Sequence, residues 1–383
     1  VISPYYPHNF QKFSIELKNQ GINVLGIGEE PYEQLDQRLK EALTEYFRVN
    51  SLDDVDEVKR AVAFLYHKHG HIDRIESQNE HWMELDAALR TQFNVFGLKE
   101  HDLKKTKHKS EMKKYSEKAG VPVVPGFLVK KEGDIEKGVK KLKLPLIAKP
   151  DNGVGASATY KLKDKKDVEN FKKEWDGTTH YFLEPFVDNS DIVTFDGLVD
   201  AKGNIVFYTS IVYYHTPLDL LNNNTLDWVY YIDKDLDPKL VEYGKNAVKS
   251  FGMKERFFHI EFFKTKDDYI AIEYNNRPAG AFAVDVYNFA HSTDYFRVYA
   301  EVVNGTFNGL NVDEKYGLAS TRRDYKDYVH SDEDIRNKYQ DKLKAVLRMP
   351  EAFAELQGNT MYVLVADTLE EMKEMERFVG KLK

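Results

Sequence analysis

The chain has 383 residues, of which 42% are apolar and 31% are charged, and this composition is typical of a globular protein with two or three domains. A formal net charge of −8 argues against nucleic acid as the main partner. The sequence contains no cysteine, which excludes disulfides and thiolate chemistry, and no run of about 18 apolar residues that would predict a membrane span. We therefore expect a cytoplasmic protein without a nucleic-acid or membrane partner.

The first hundred residues alternate between strand-like and helix-like segments, the pattern of an α/β layer with parallel strands. Residues 23–28 are typical of a short buried strand that ends in glycines. Three segments have the apolar spacing of amphipathic helices: 32–46, 55–66 and 81–92. We predict an N-terminal Rossmann-like domain at residues 1–108. Because Val1 is not an initiator Met, we expect the numbered chain to begin inside the first strand.

A second unit is predicted at residues 109–180. It contains a helix at 113–119 that Gly120 ends, a strand at 144–149 and a further strand at 158–162. A loop with several glycines joins the two strands.

A third unit, predicted at residues 181–313, is dominated by antiparallel hairpins, with a turn at 200–204 between two of its strands. Residues 314–383 are predicted to form a C-terminal α/β extension, which closes with a strand at 360–366 and a helix at 369–382. The extension either covers the substrate site or forms a subunit contact.

A β-hairpin is predicted in the third unit, because two alternating segments flank a polar turn. If the turn is centred on Asp267, Glu261 and Glu273 lie directly opposite each other and share one face with His259 and Asn275. The other face is then core. Its predicted members are Phe258, Ile260, Phe262, Ile270, Ile272 and Tyr274.

Two glutamates that face each other in a hairpin have Cβ atoms roughly 5 Å apart, and their like charges destabilise it. A cation between Glu261 and Glu273 removes that cost. Mg²⁺ fits such a place, because one or two carboxylates bind it while substrate phosphates complete its shell. The alternative is an exposed hairpin in which the two glutamates repel weakly.

A loop over residues 149–157 follows the strand at 144–149. Its glycines Gly153 and Gly155 let backbone N–H groups approach phosphate oxygens, and Ser157 adds a hydroxyl. A dinucleotide-binding motif would need a helix directly afterwards, whereas a strand is predicted there. A plain hairpin turn stays the alternative.

Two lysines and an apolar strand accompany this loop. Lys149 enters it, and Lys109 precedes the helix of the second unit, so both can meet phosphates. The strand at 181–187 carries three residues predicted to hold adenine: Glu184, Phe186 and Val187. The last two are predicted to make backbone hydrogen bonds to the base. Asp191 is placed to accept hydrogen bonds from ribose hydroxyls.

These motifs, in this order, resemble the ATP-grasp superfamily over residues 20–310. The resemblance implies the ATP-grasp fold, of mixed α/β and α+β class, with a Rossmann-like domain in front. It makes Lys109 and Lys149 the two nucleotide lysines. The residues that match its magnesium ligands are Glu261, Glu273 and Asn275. Arg277 matches the arginine at the phosphoryl-transfer centre.

The chain departs from two branches of that superfamily. Its glycine loop is shorter than that of biotin carboxylases, and it has no tandem copy as in carbamoyl-phosphate synthetase large subunits. Residues 258–261 and 277–280 look more like stand-alone carboxylate–amine ligases, including amino-acid ligases.

The resemblance implies a ligase that uses ATP and one or two Mg²⁺ ions, or Mn²⁺ instead, to form an amide through an acyl phosphate. Arg277 and Asn275 would act at the reacting centre and His259 would orient it. The partners implied are a small carboxylate and an amine, amino acids among them, and base rates favour a homodimer.

Two other functions stay open. One is a bicarbonate-using enzyme of the carboxylase or carbamoyl-phosphate type, and the other is a non-catalytic ATP-binding regulator. The loops at 213–217 and 222–225 either border the acceptor pocket or are ordinary loops. For Glu80 we favour an exposed glutamate at a helix start over a contact with the substrate amine.

Overall fold

The N-terminal unit is built from short β–α repeats around a small parallel sheet. In the computed structural model, the described residues are 1–153, 158–187, 191–216, 219–220, 223 and 225–383. Strand β1 (Leu25–Gly28) pairs in parallel with β2 (Glu45–Arg48), and Ile2 bridges to Ile27. The helices of this unit are α1 (Gln11–Asn19), α2 (Gln37–Ala42), α3 (Val55–His69) and α4 (Met83–Gln92).

The helix predicted at 32–46 is too long, whereas the helices predicted at 55–66 and 81–92 are confirmed as α3 and α4. Only α2 forms within the first segment, after a 3-10 turn. The chain then enters the sheet, because the Thr44 N–H donates to the Val24 carbonyl and the residues that follow are rich in aromatics, which favour a strand.

The second unit is an antiparallel sheet flanked by helices. Among the described residues, its strand order is β3-β6-β4-β5. The strands are β3 (Phe127–Val129), β4 (Leu146–Pro150), β5 (Tyr160–Leu162) and β6 (Tyr181–Pro185). The helices are α5 (Lys104–Lys107), α6 (Lys109–Lys118), α7 (Glu132–Leu142) and α8 (Lys165–Glu174). The two strands predicted on either side of the glycine loop are therefore confirmed as β4 and β5.

A long antiparallel sheet forms the rest of the molecule. Its strands are β7 (Asp191–Val199), β8 (Ile205–Tyr213), β9 (Val229–Asp233), β10 (Arg256–Lys264), β11 (Tyr269–Asn275), β12 (Tyr316–Arg322), β13 (Leu343–Arg348) and β14 (Thr360–Ala366). The strand order in the described residues is β11-β10-β7-β8-β9-β12-β14-β13. The remaining helices are α9 (Pro238–Phe251), α10 (Ala283–His291), α11 (Tyr295–Asn304), α12 (Asp332–Lys338), α13 (Glu351–Gln357) and α14 (Leu369–Gly380).

The predicted C-terminal extension at 314–383 is continuous with this sheet. Strand β12 pairs with β9, and β14 and β13 continue the same ladder. The strand and helix expected at the end of the chain are present as β14 and α14. In the described part of the chain no helix is long and apolar enough to cross a membrane.

A buried ionic cluster fastens the N-terminal unit to β10. Arg256, at the start of β10, donates to both carboxylate oxygens of Glu76 at 2.8 and 2.9 Å. Arg90 of α4 donates to the same carboxylate at 2.9 Å, and the Arg256 Nε donates to the Asn276 carbonyl at 3.2 Å. The strand that carries His259 and Glu261 is therefore anchored at its first residue to the N-terminal unit.

His291, the last residue of α10, is buried between the sheet and α11. Its Nε2 lies 3.2 Å from the Thr209 hydroxyl and its Nδ1 contacts the Tyr295 hydroxyl. Burial lowers the pKa of the His291 imidazole to about 4. The folded protein therefore keeps this ring neutral at a pH where an unfolded chain protonates it.

This histidine makes stability depend on pH in a defined window. As pH falls from about 6.5 towards 4 the unfolded state takes up a proton that the folded state excludes, so the free energy of unfolding falls, by roughly 2 kcal/mol at pH 5. We expect His291→Gln, which keeps hydrogen-bonding capacity without titrating, to lose that part of the slope. Urea unfolding of both proteins at pH 7, 6 and 5 measures it. If the free energy of unfolding fell equally with pH in both proteins, His291 would not be the group responsible.

Candidate active site

Two glutamates face each other across the β10–β11 pair. The strand register places Glu261 opposite Glu273 and His259 opposite Asn275, as the sequence predicts. The Glu261 carboxylate lies 3.2 Å from the His259 Nε2, and the Glu273 carboxylate accepts a hydrogen bond of 3.2 Å from the Lys109 ammonium. Each carboxylate thus has a cationic neighbour, which offsets the repulsion between the pair.

The hairpin reaches this register through a β-bulge that the sequence analysis did not predict. Lys264 pairs with Tyr269, so the turn is not centred on Asp267, and Ile272 is the additional residue that restores the register at the glutamates. A bulge changes the face on which the following side chains lie.

The bulge also makes part of the predicted core face wrong. Tyr269 and Ala271 are buried in the core with Phe258, whereas Ile270 and Ile272 are only half-buried and do not belong to that core. The predicted core members on β10 are confirmed.

His259 is held by a hydrogen-bonded carboxylate. Its Nδ1 lies 2.7 Å from Asp196, which also accepts from the hydroxyls of Tyr287 at 2.7 Å and Thr194 at 2.6 Å. Burial alone would lower the pKa of His259, but the carboxylates of Asp196 and Glu261 raise it to about 9. At neutral pH the ring is therefore a fixed cation beside Glu261.

Sequence reasoning did not identify Asp196 as part of the site. The signal was present, because Asp196 stands in the interior of a mostly apolar strand, and such a group needs a partner when it is buried.

A second carboxylate, Glu184 of β6, is buried between two lysines. It contacts the ammonium groups of Lys149 on β4 and Lys113 on α6. Burial would raise the pKa of Glu184, but Lys149 and Lys113 lower it below its ordinary value. Glu184, predicted at the start of the adenine hinge, therefore orients the predicted phosphate lysine. Lys113 was not predicted, although it lies one helical turn after Lys109.

Lys109 and the glycine loop are joined by Asp151. The Lys109 ammonium donates to the Gly153 carbonyl at 3.1 Å. The Asp151 carboxylate accepts from the Ser110 N–H at 2.8 Å, which satisfies an amide at the start of α6, and it contacts His108 at 2.9 Å. The helix consequently starts at Lys109, four residues before its predicted start. Gly155 and Ser157 lie outside the described residues.

One backbone group of the predicted adenine hinge already has a partner. The Phe186 N–H donates to the Pro145 carbonyl at 3.0 Å, so a hydrogen bond from Phe186 to a base would have to use its carbonyl. The backbone hydrogen bonds at Phe186 and Val187 stay predictions. Asp191 is the exposed first residue of β7.

Arg277 follows β11 and reaches the N-terminal unit. Its Nε donates to Glu80 at 2.7 Å. The expectation that Glu80 is an exposed glutamate at a helix start is wrong, because Glu80 is buried against this guanidinium. Burial would lower the pKa of Arg277, but Glu80, Glu261 and Glu273 raise it. The arginine is therefore a permanent cation facing the opposed glutamates.

The side chains at this place suit a metal ion that also takes ligands from outside the protein. Within the described ranges there is no cluster of three or more His, Cys, Asp or Glu that could hold a metal ion. What β10 and β11 offer is two opposed carboxylates, Glu261 and Glu273, and the amide of Asn275. This set fits Mg²⁺ in a nucleotide site, where phosphates and water supply the other ligands.

Comparison with solved structures gives likenesses along nearly the whole chain. An L-amino acid ligase from Bacillus licheniformis superposes with a TM-score of 0.73 at 15% identity, covering 95% of this chain and 92% of the other. An N5-carboxyaminoimidazole synthetase from Staphylococcus aureus, complexed with ADP, gives a TM-score of 0.68 at 16% identity, covering 94% and 91%. At these identities the likeness shows the fold.

Sequence comparison gives a more limited match. An N5-carboxyaminoimidazole ribonucleotide synthase from Aquifex aeolicus is 27% identical over 182 residues, which are 47% of this chain and 46% of that protein. The match thus spans about half the length of this curated relative. No protein-family model matches the chain.

Asp151 provides a test of how the predicted phosphate lysine is positioned. We expect Asp151→Ala to weaken ATP binding by about tenfold, because loss of a helix-start acceptor costs about 1 kcal/mol and releases Lys109 from the glycine loop. Asp164→Ala is the control, since the Asp164 carboxylate also accepts from backbone amides at the start of a helix, α8. Calorimetric titration with ATP and Mg²⁺ measures both variants. Equal weakening in both would contradict the positioning role.

Proposed function

The chain has the ATP-grasp fold, and from that premise we propose that it is an ATP- and Mg²⁺-dependent ligase that joins a carboxylate to an amine. The observation that carries the proposal is the meeting of Lys109 and His259 with the opposed Glu273 and Glu261, with Lys149 held by Glu184 and Arg277 held by Glu80. Phosphoryl transfer asks a protein mainly for positioning and charge stabilisation, and this arrangement supplies both.

The nucleotide would lie between the second unit and the long sheet. Lys109 and Lys149 hold its phosphates together with Gly153. The predicted phosphate contacts of Gly155 and Ser157 fall outside the described residues and stay predictions. Glu184 fixes the direction of Lys149. At the other end of the nucleotide, the segment that carries Phe186 and Val187 borders the adenine, and Asp191 accepts from the ribose hydroxyls.

Glu261, Glu273 and Asn275 would hold one or two Mg²⁺ ions. The bound metal neutralises negative charge on the phosphate oxygens. Because His259 and Lys109 already occupy the two carboxylates, metal and nucleotide compete with contacts that the protein makes without them. Arg277 adds a further positive charge to this site.

The reaction has two balanced steps. A carboxylate oxygen of the substrate attacks the γ-phosphorus, the bond to the β-phosphate oxygen breaks, and an acyl phosphate and ADP result. The amine nitrogen then attacks the acyl carbon, phosphate leaves with the bonding electrons, and the nitrogen loses a proton. Arg277 stabilises the oxyanion that forms between the second attack and the departure of phosphate.

The likenesses support this class without fixing the substrates. The B. licheniformis relative is an L-amino acid ligase, which favours amino acids as carboxylate and amine. The A. aeolicus relative is an N5-carboxyaminoimidazole ribonucleotide synthase, and one solved relative, a 2-oxoglutarate carboxylase domain, is complexed with MgADP and bicarbonate. Bicarbonate is therefore the second candidate for the carboxylate. The homodimer and the cytoplasmic location stay predictions.

Phosphate release tests the proposal and its alternatives together. ATP and Mg²⁺ are supplied with pooled small carboxylates, with and without pooled amines, and with bicarbonate in a separate arm. Release that needs both a carboxylate and an amine supports the ligase. Release with bicarbonate alone supports the second candidate, and ATP binding without release in any arm overturns catalysis.

Glu273 gives the sharpest variant for this assay. We expect Glu273→Gln to lower ADP formation at least about 100-fold, because one of the two carboxylates that face the phosphates is lost. Glu242→Gln, on the exposed side of α9, is the control and keeps full activity. Unchanged turnover in Glu273→Gln would remove the proposal.

A further inference from the structure

One buried carboxylate, that of Glu184, is shared by two lysines. The strand register places Ile147 opposite Glu184, so Lys149, two residues further along β4, is a diagonal neighbour of Glu184 on the same face of the sheet. Lys149 contacts one carboxylate oxygen, and Lys113 contacts the other from α6. Glu184 is only 5% exposed, so two positive charges share one negative charge in the protein interior.

Lys113 is the less accessible of the two cations. Its ammonium is wholly buried, and it lies against the Glu184 carboxylate and over the ring of Phe182, whose centroid is 5.8 Å away. Burial lowers the pKa of the Lys113 ammonium, and Glu184 counters that effect, so the side chain keeps its charge at neutral pH. The side chain of Lys149 is 13% exposed and stands on the strand that leads to the glycine loop. A phosphate can therefore reach Lys149, but not Lys113.

The balance of charge around Glu184 decides how strongly Lys149 attracts an anion. Lys149 and Glu184 alone would form a neutral pair, in which the carboxylate cancels most of the attraction of the ammonium for a phosphate. With Lys113 present, two ammonium groups and one carboxylate leave a single net positive charge. Lys113 thus supplies the charge that Glu184 takes from Lys149.

We propose that Lys113 is a positioning residue for the nucleotide: it neutralises Glu184, so that this carboxylate can orient Lys149 while Lys149 still attracts phosphates as a cation. The inference rests on the proposed function, because the phosphates are those of ATP. The competing explanation is a purely structural tie between α6 and β6, which would stabilise the free protein and leave its affinity for ATP unchanged.

Lys113→Met removes the charge and keeps a side chain of similar length. We expect the affinity for ATP with Mg²⁺ to fall at least about tenfold, because the pair that remains is neutral. The midpoint of thermal unfolding of the nucleotide-free protein should shift by less than about 3 °C, since Lys149 still pairs with Glu184. Lys114→Met is the matched control and keeps the affinity, because Lys114 is the next residue on α6 and its side chain is 65% exposed. Calorimetric titration with ATP and thermal unfolding measure the two quantities.

A second substitution separates the effect of charge from that of structure. Adding Glu184→Gln to Lys113→Met restores a single positive charge, that of Lys149, so we expect the double variant to recover most of the affinity that Lys113→Met loses. Unchanged affinity in Lys113→Met, or no recovery in the double variant, would overturn the inference, while ATP binding by the unmodified protein leaves the ligase standing. If the unmodified protein binds no ATP, the proposed ligase fails and the inference fails with it.

Discussion

The structure depends on one costly arrangement, two glutamates that face each other across an antiparallel strand pair. Glu261 and Glu273 repel at that spacing, so the fold has to bring positive charge to them. It does so with a histidine from the same strand, a lysine from the start of α6, and an arginine anchored on Glu80. Three separate parts of the chain therefore meet at one pair of carboxylates.

Further carboxylates hold these cations in turn. Asp196 fixes His259, Glu184 fixes the nearby Lys149, and Asp151 joins the start of α6 to the glycine loop. Because Asp196 and Glu184 hold His259 and Lys149 independently of the opposed glutamates, little reorganisation of these two cations remains when charge develops on the phosphates. The same reasoning explains why Glu76 and Arg256 tie the N-terminal unit to β10: the strand that carries Glu261 has to stay in place.

Local sequence patterns predicted most of the elements and site residues. The features that they missed are set by residues distant in the sequence. Strand alternation placed Glu261 opposite Glu273 on the assumption of a turn centred on Asp267. The turn is centred elsewhere, and the pairing is still found because the bulge at Ile272 offsets the shift. Alternation could not predict that bulge, because one additional residue leaves no mark on composition. Glu80 was misjudged since its partner, Arg277, is almost 200 residues away. The strand at 45–48 was missed because it is set by pairing with β1. Gly155, Ser157 and the contacts of the nucleotide stay predictions.

If the opposed carboxylates hold a metal-bound nucleotide, the affinity for ATP depends on the metal. Calorimetric titration with ATP is made with Mg²⁺ and with EDTA, on the unmodified protein and on Glu261→Gln. We expect removal of the metal to weaken ATP binding at least about tenfold in the unmodified protein, a difference of about 1.4 kcal/mol, and to change it little in the variant. Equal affinity with and without Mg²⁺ in the unmodified protein would show that these carboxylates do not hold the metal.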